Sequence, residues 1–141
     1  MSVVLALLLG LCQSTVEIWG EWRYAGFIYE GQRYPLPNQD LFLTFTFKPD
    51  GRVRLYWTRF NEDGFCEREA TYSLEGDQLH QEVVWVNPDN RPDCSHDPDM
   101  TLGRKTSNRY QILGQELHLF LQLDDQDFIY LLEKQTPTSG Q

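Results

Sequence analysis

The sequence predicts an all-β protein folded as an eight-stranded antiparallel up-and-down β-barrel. Apolar and polar residues alternate with period two in segment after segment, and no stretch carries a helical period. Tight turns and longer loops alternate along the chain, as they do when strands run up and down one sheet. A meander of eight strands leaves two open edges, and closure into a barrel removes both.

The 141 residues make one domain, and the formal charge of −9 makes nucleic acid and anionic membrane surfaces poor partners. Val3 to Cys12 is an apolar run too short to span a bilayer. It fits the core of a secretory signal, with Cys12 and Ser14 as small residues before a cut after Ser14, although the usual positive stretch ahead of it is missing. The expected organisation is a signal peptide over 1–14, the barrel over 15–134 and a flexible polar tail over 135–141. Such a protein is secreted or periplasmic and has no membrane span. A lipid anchor at Cys12 is the rival reading, but Leu11 stands where those signals carry a small residue. With Cys12 removed, Cys66 and Cys94 are an even pair in an oxidising compartment and are expected to form a disulfide.

The first strand is expected from Ile18 to Tyr29, with Trp22, Tyr24, Gly26 and Ile28 on one face. Gly26, without a side chain in mid-strand, marks a bend or a close approach. Glu30 to Asp40 contains two prolines and reads as a loop. The second and third strands form a hairpin from Leu41 to Thr58 around Pro49-Asp50-Gly51. If Lys48 faces Arg52, the inward pairs are Phe47/Val53, Phe45/Leu55 and Leu43/Trp57. After a loop at Asn61 to Gly64, the strand from Cys66 to Leu74 turns at Gly76-Asp77. This register pairs Leu74 with Leu79, Tyr72 with Gln81, Ala70 with Val83 and Arg68 with Trp85. Asn87 to Asp99 is a long irregular loop, and Cys94 within it lies close enough to clip it to the rim at Cys66. A strand ending at Ile112, the turn Gly114-Gln115, the alternating leucines of Leu117 to Leu123, an acidic loop and a last strand from Phe128 to Lys134 complete the eight.

Gly20-Glu21-Trp22 at the head of the first strand resembles the Gly-x-Trp motif that opens lipocalins and related calycin barrels. The likeness is to small bacterial lipocalin-like proteins, avidin-type barrels being a second group that begins this way. The resemblance covers about Ile18 to Lys134. It implies a barrel closed at one end, where Gly20, Trp22 and Lys134 form the closed-end motif with the lysine packed across the tryptophan. The chain departs from a typical lipocalin in having no C-terminal helix.

Such a barrel is expected to be a non-catalytic binding protein that holds a small, mainly apolar or acidic-headed ligand. The expected ligand-binding residues are Trp57, Arg68, Trp85, Asn108 and Tyr130, all inward and near the mouth. An inward arginine needs an acceptor. Arg68 either binds an acidic ligand head between Trp57 and Trp85, or stacks on Trp85 and pairs with a loop aspartate. No cofactor is expected. His96 stands among Asp93, Asp97 and Asp99, but the spacing fits no calcium loop or zinc pattern, so no metal is expected. No nucleophile elbow or phosphate loop is present. The alternative is an interaction or inhibitor module that works through its mouth loops around a filled lumen. Finally, Phe27 and Tyr29 of the first strand and Ile129 and Leu131 of the last are expected on the outer face, where they would form a homodimer patch.

Overall fold

A computed structural model describes residues 15–123 and 126–137. The expected signal over 1–14, with Cys12, lies outside the described residues, as does the end of the tail. Nine strands follow a short 3₁₀ turn at Thr15–Ile18: β1 Gly20–Tyr29, β2 Gln32–Pro35, β3 Leu41–Phe47, β4 Arg52–Arg59, β5 Cys66–Glu75, β6 Gln78–Val86, β7 Lys105–Leu113, β8 Glu116–Leu123 and β9 Gln126–Lys134. All neighbours are antiparallel, and β1 pairs with β9 from Trp22↔Lys134 to Tyr29↔Phe128, which closes the sheet. Eight of the strands make the barrel. β2 is an addition to it.

That addition corrects the loop expected over Glu30 to Asp40. Glu30 and Gly31 take positive φ values of 50° and 78°, the paired left-handed conformation that turns a two-residue hairpin. β2 then pairs with the end of β1, from Tyr29↔Gln32 to Gly26↔Pro35. Pro35 is tolerated because it terminates a strand at the end of the sheet order. Gly26 is the place of close approach: a Cβ there would run into the backbone oxygen of Tyr34.

The hairpin β3–β4 has the expected register, Phe47↔Val53, Phe45↔Leu55 and Leu43↔Trp57. Its turn holds Gly51 at φ 87°, and Lys48 donates to the Arg52 oxygen at 2.8 Å. β5 and β6 pair as expected from Leu74↔Leu79 to Ala70↔Val83.

Two bulges break the alternation. In β6 the pairing steps from Ala70↔Val83 to Glu69↔Trp85, leaving Val84 as the extra residue. Directly opposed residues share a face, so this step moves Trp85 to the outer surface and gives Val86 the lumen place beside Arg68. In β1 the step falls at Ala25. Beyond it Phe27 opposes Tyr130 and Tyr29 opposes Phe128, whereas Gly26 and Ile28 take the outer side. Phe27 stacks on Phe128 at 4.9 Å, and Phe128 meets the Tyr130 ring edge-on at 5.5 Å. The expected outer patch of Phe27, Tyr29, Ile129 and Leu131 is therefore not assembled, and the dimer expectation loses its basis. Leu131 does face outward but is buried, as is His118 opposite it.

The core fills the lower and middle lumen, with Ile18, Trp22, Phe47, Val53, Leu79, Leu117 and Leu132 all within 1% of full burial. The tight turns β3–β4, β5–β6 and β7–β8 lie at this closed end. The long connection after β6 is at the other end and contains two 3₁₀ turns, Pro92–His96 and Pro98–Met100, whose Cys94 and Met100 are buried.

Candidate functional site

Each end of the barrel sets one cation near an aromatic ring, a half-buried lysine at the closed end and a buried arginine at the mouth. At the closed end Gly20 has a φ of 118° and lies where a Cβ would come within 2.9 Å of Lys134 Nζ. The glycine thus leaves room for the lysine, which sits 4.7 Å over the Trp22 ring and donates to the Trp19 oxygen. Trp22 in turn donates its indole N–H to the Ile18 oxygen at 2.8 Å. The side-chain donors of Lys134 and Trp22 thus both have a backbone acceptor.

At the mouth the buried cation is Arg68. Strand alternation in β5 puts Cys66, Arg68 and Ala70 on the lumen face, and all three are buried. Arg68 Nε donates to the Asp99 backbone oxygen at 3.1 Å, and Nη2 donates to Gln81 Oε1 at 3.2 Å. The guanidinium carbon stands 5.9 Å from the Phe45 ring centre. Nη1 is buried and has no partner. A buried donor left unsatisfied costs about 1–3 kcal/mol, and more when it is charged. Burial accordingly pulls the Arg68 pKa down to about 10, although the nearby Asp99 and Asp97 oppose the shift.

Arg68 lines a cavity of about 350 Å³. Its apolar wall is Phe45, Leu119, Leu121 and Tyr130, and its polar side includes Gln81, Asn108 and Asp99. Arg104 and Lys105 also line it, so three cations face one carboxylate in a protein whose net charge is −9. Tyr130 packs on Tyr24 at 4.8 Å, and burial raises the pKa of both phenols, that of Tyr24 to about 12. Asn108 is held by a bond from Nδ2 to the Phe120 oxygen at 3.3 Å.

Three of the five residues expected at the ligand site therefore meet at one cavity: Arg68, Asn108 and Tyr130. Trp57 is on the lumen face opposite Cys66 but lines no part of this cavity, and Arg59 covers its ring at 4.9 Å. Trp85 is a correction: the bulge at Val84 turns it outward, 41% exposed, where it neither walls the cavity nor stacks on Arg68. Sequence reasoning passed over several residues of the site, among them Gln81, Phe45, Leu119, Asp99, Arg104 and Lys105. Gln81 had a legible signal, a lone amide expected inward opposite Tyr72.

Cys66 and Cys94 form the expected disulfide, with Cα atoms 5.7 Å apart across 28 positions. It ties the turn Pro92–His96 to the first residue of β5, two positions from Arg68. Among the described residues, no group of three or more His, Cys, Asp or Glu side chains is arranged to hold a metal, and no helix is long and apolar enough to cross a membrane.

No protein-family model matches the chain, and no curated protein matches it. Solved structures are similar. A lipocalin-like protein from Bacteroides uniformis superimposes with a TM-score of 0.57 at 15% identity, over 84% of this chain and 99% of the other. An uncharacterized protein from Bacteroides eggerthii gives 0.52 at 13% identity, over 84% and 99%. At this identity the likeness concerns the fold, which is lipocalin-like.

Proposed function

We propose that this lipocalin-like barrel is an exported, non-catalytic binding protein whose mouth-side cavity holds a small organic acid. The observation that carries the reading is Arg68, buried on the cavity wall with one guanidinium nitrogen unpartnered. A carboxylate oxygen is the acceptor that best satisfies such a donor, because charge-assisted bonds to arginine are short and strong. Phe45, Leu119, Leu121 and Tyr130 suit an apolar body, and Asn108 offers a further polar contact. A volume of about 350 Å³ is at the small end of ligand pockets, which span about 300–1,000 Å³. The ligand is thus a ring or a short chain, since the filled lower lumen gives a long acyl chain nowhere to go. This open space supports the carrier reading over the module with a filled lumen.

The disulfide supports export, together with a signal peptide over 1–14, because such bonds persist in oxidising compartments. Calorimetric titration with benzoate, octanoate and hexadecanoate tests the site. Benzoate and octanoate are expected to bind and hexadecanoate to bind at least tenfold more weakly. Tighter binding of the longest acid, or none of any acid, contradicts the proposal.

A further inference from the structure

Two amides on the cavity wall can point only one way. Gln81 Oε1 accepts from Arg68 Nη2 at 3.2 Å. A guanidinium has donors only, so the Gln81 oxygen must face it and the amide nitrogen must face elsewhere. Asn108 is turned the opposite way round. Its Nδ2 donates to the Phe120 backbone oxygen at 3.3 Å, and a carbonyl only accepts, so Oδ1 is the end left over. The bond spans the place where β7 leaves β8, since that ladder stops at Tyr110↔Leu119. Both amides are half-buried and line the cavity. Neither Gln81 Nε2 nor Asn108 Oδ1 has a partner among the described residues.

The wall is thus chemically sided. Arg68 on β5 and Gln81 on β6 leave over donors, Nη1 and Nε2, and Asn108 on β7 leaves over an acceptor. Strands β5 and β7 are two steps apart in the sheet, about 10 Å between backbones. Inward side chains shorten that gap, so one ring-sized molecule can meet both. We propose that the ligand is a hydroxy acid and that Asn108 determines this specificity: the carboxylate meets Arg68 Nη1 and Gln81 Nε2, and a hydroxyl on the ligand's apolar body donates to Asn108 Oδ1. The inference rests on the reading of Arg68 as the ligand's anchor. The two ends of the ligand cannot be exchanged, because a carboxylate at Asn108 Oδ1 meets a lone pair rather than a donor. An acid without the hydroxyl leaves the Asn108 oxygen desolvated and unpaired, and the hydroxyl restores the bond.

The experiment uses benzoate, meta- and para-hydroxybenzoate and the two matching methoxybenzoates, titrated calorimetrically at pH 7, where the phenols keep their protons. The proteins are wild type, Asn108→Leu and Asn108→Ala. The readout is the ratio of each acid's affinity to that of benzoate within the same protein, which a general loosening of the site does not move. In wild type at least one hydroxybenzoate is expected to bind fivefold or more tighter than benzoate. Its methoxy counterpart, which accepts but cannot donate, is expected to show no gain. In both variants the hydroxybenzoate ratio is expected to fall to within twofold of one. Wild-type binding of benzoate with no preference for either hydroxy isomer overturns the inference and leaves Arg68 as anchor. A preference that the methoxy acid shares, or that persists in the variants, overturns it also. If no acid binds, the anchor fails and the inference falls with it. Should a variant fail to fold, the wild-type comparison of hydroxy with methoxy acid decides alone.

Discussion

At the closed end, Lys134 lies 4.7 Å over Trp22 and donates to a backbone oxygen; at the mouth, Arg68 lies 5.9 Å from Phe45 and keeps a buried nitrogen without a partner. Both ends set a cation near an aromatic ring, Lys134 half-buried and Arg68 buried, yet of the two only Arg68 has a buried donor without a partner among the described residues. At the closed end the side-chain donors of Trp22 and Lys134 both have partners, although the two residues also line a space of about 240 Å³. The mouth carries an orphaned buried donor and a cavity built from one loop and six strands. Incomplete satisfaction of this kind is costly for stability, and on the proposed reading a ligand offsets that cost at Arg68.

Four substitutions and pH changes would break or sharpen this contrast. The largest effect belongs to the plug. Trp22→Ala removes a fully buried ring together with its bond to Ile18, and should cost about 3–5 kcal/mol in denaturant unfolding. A loss below about 1 kcal/mol would mean that the closed end is not the anchor of the fold. Next is the clip at the mouth. Cys94→Ser opens the disulfide, whose 28-residue separation corresponds to about 3.5 kcal/mol in the chain-entropy account. Thermal unfolding with and without reductant reads that loss.

A smaller effect concerns β2. Arg33 forms a two-pronged pair with Glu116, at 2.8 and 3.0 Å, and Glu116 also meets His118. The pair with Arg33, then the bond with His118, hold the Glu116 carboxyl down at about 2. A depressed carboxyl contributes stability above its ordinary pKa and loses it as pH falls through the folded value. The exchange protection of the Gln32, Arg33 and Tyr34 amides, taken relative to intrinsic exchange at each pH, should therefore hold at neutral pH and fall between about pH 4 and 2. Unchanged protection across that window would show that β2 does not depend on this pair. The smallest effect is at Trp85. Because it faces solvent, Trp85→Ser should change stability by no more than about 0.5 kcal/mol and leave acid binding untouched.

Trp85 also shows how far the sequence could be read. Where alternation ran unbroken, as in β3–β4 and the lower half of β5–β6, the predicted register and lumen faces are those of the structure. Gly20, Trp22 and Lys134 met as expected because closure of β1 on β9 brings them together. The errors at Trp85, Phe27 and Tyr29 all lie beyond a bulge. One extra residue at Val84 or Ala25 reverses every face after it; Gly26 marks a bend beside Ala25 without giving its register, and Val84 has no glycine or proline beside it. β2 was hidden by Pro35 at its end and Pro37 just beyond it, and by a Glu30-Gly31 turn that needs a positive φ at a glutamate. Arg68, Asn108 and Tyr130 were legible as inward residues, but their meeting at one cavity depends on strand stagger that no local pattern encodes. Asp99 was visible only as one of several loop acids. Its bond to Arg68 is set by where the disulfide holds the loop.

The central claim is that Arg68 is the anchor for an acidic ligand, and Arg68→Met tests it most directly. Methionine keeps the length and much of the volume while removing the buried charge, so the fold should be as stable as wild type or more so. Benzoate titrated calorimetrically into the two proteins should bind the variant at least tenfold more weakly, a loss of about 1.4 kcal/mol or more, with benzyl alcohol little changed. Equal benzoate affinity in a folded Arg68→Met protein would contradict the account.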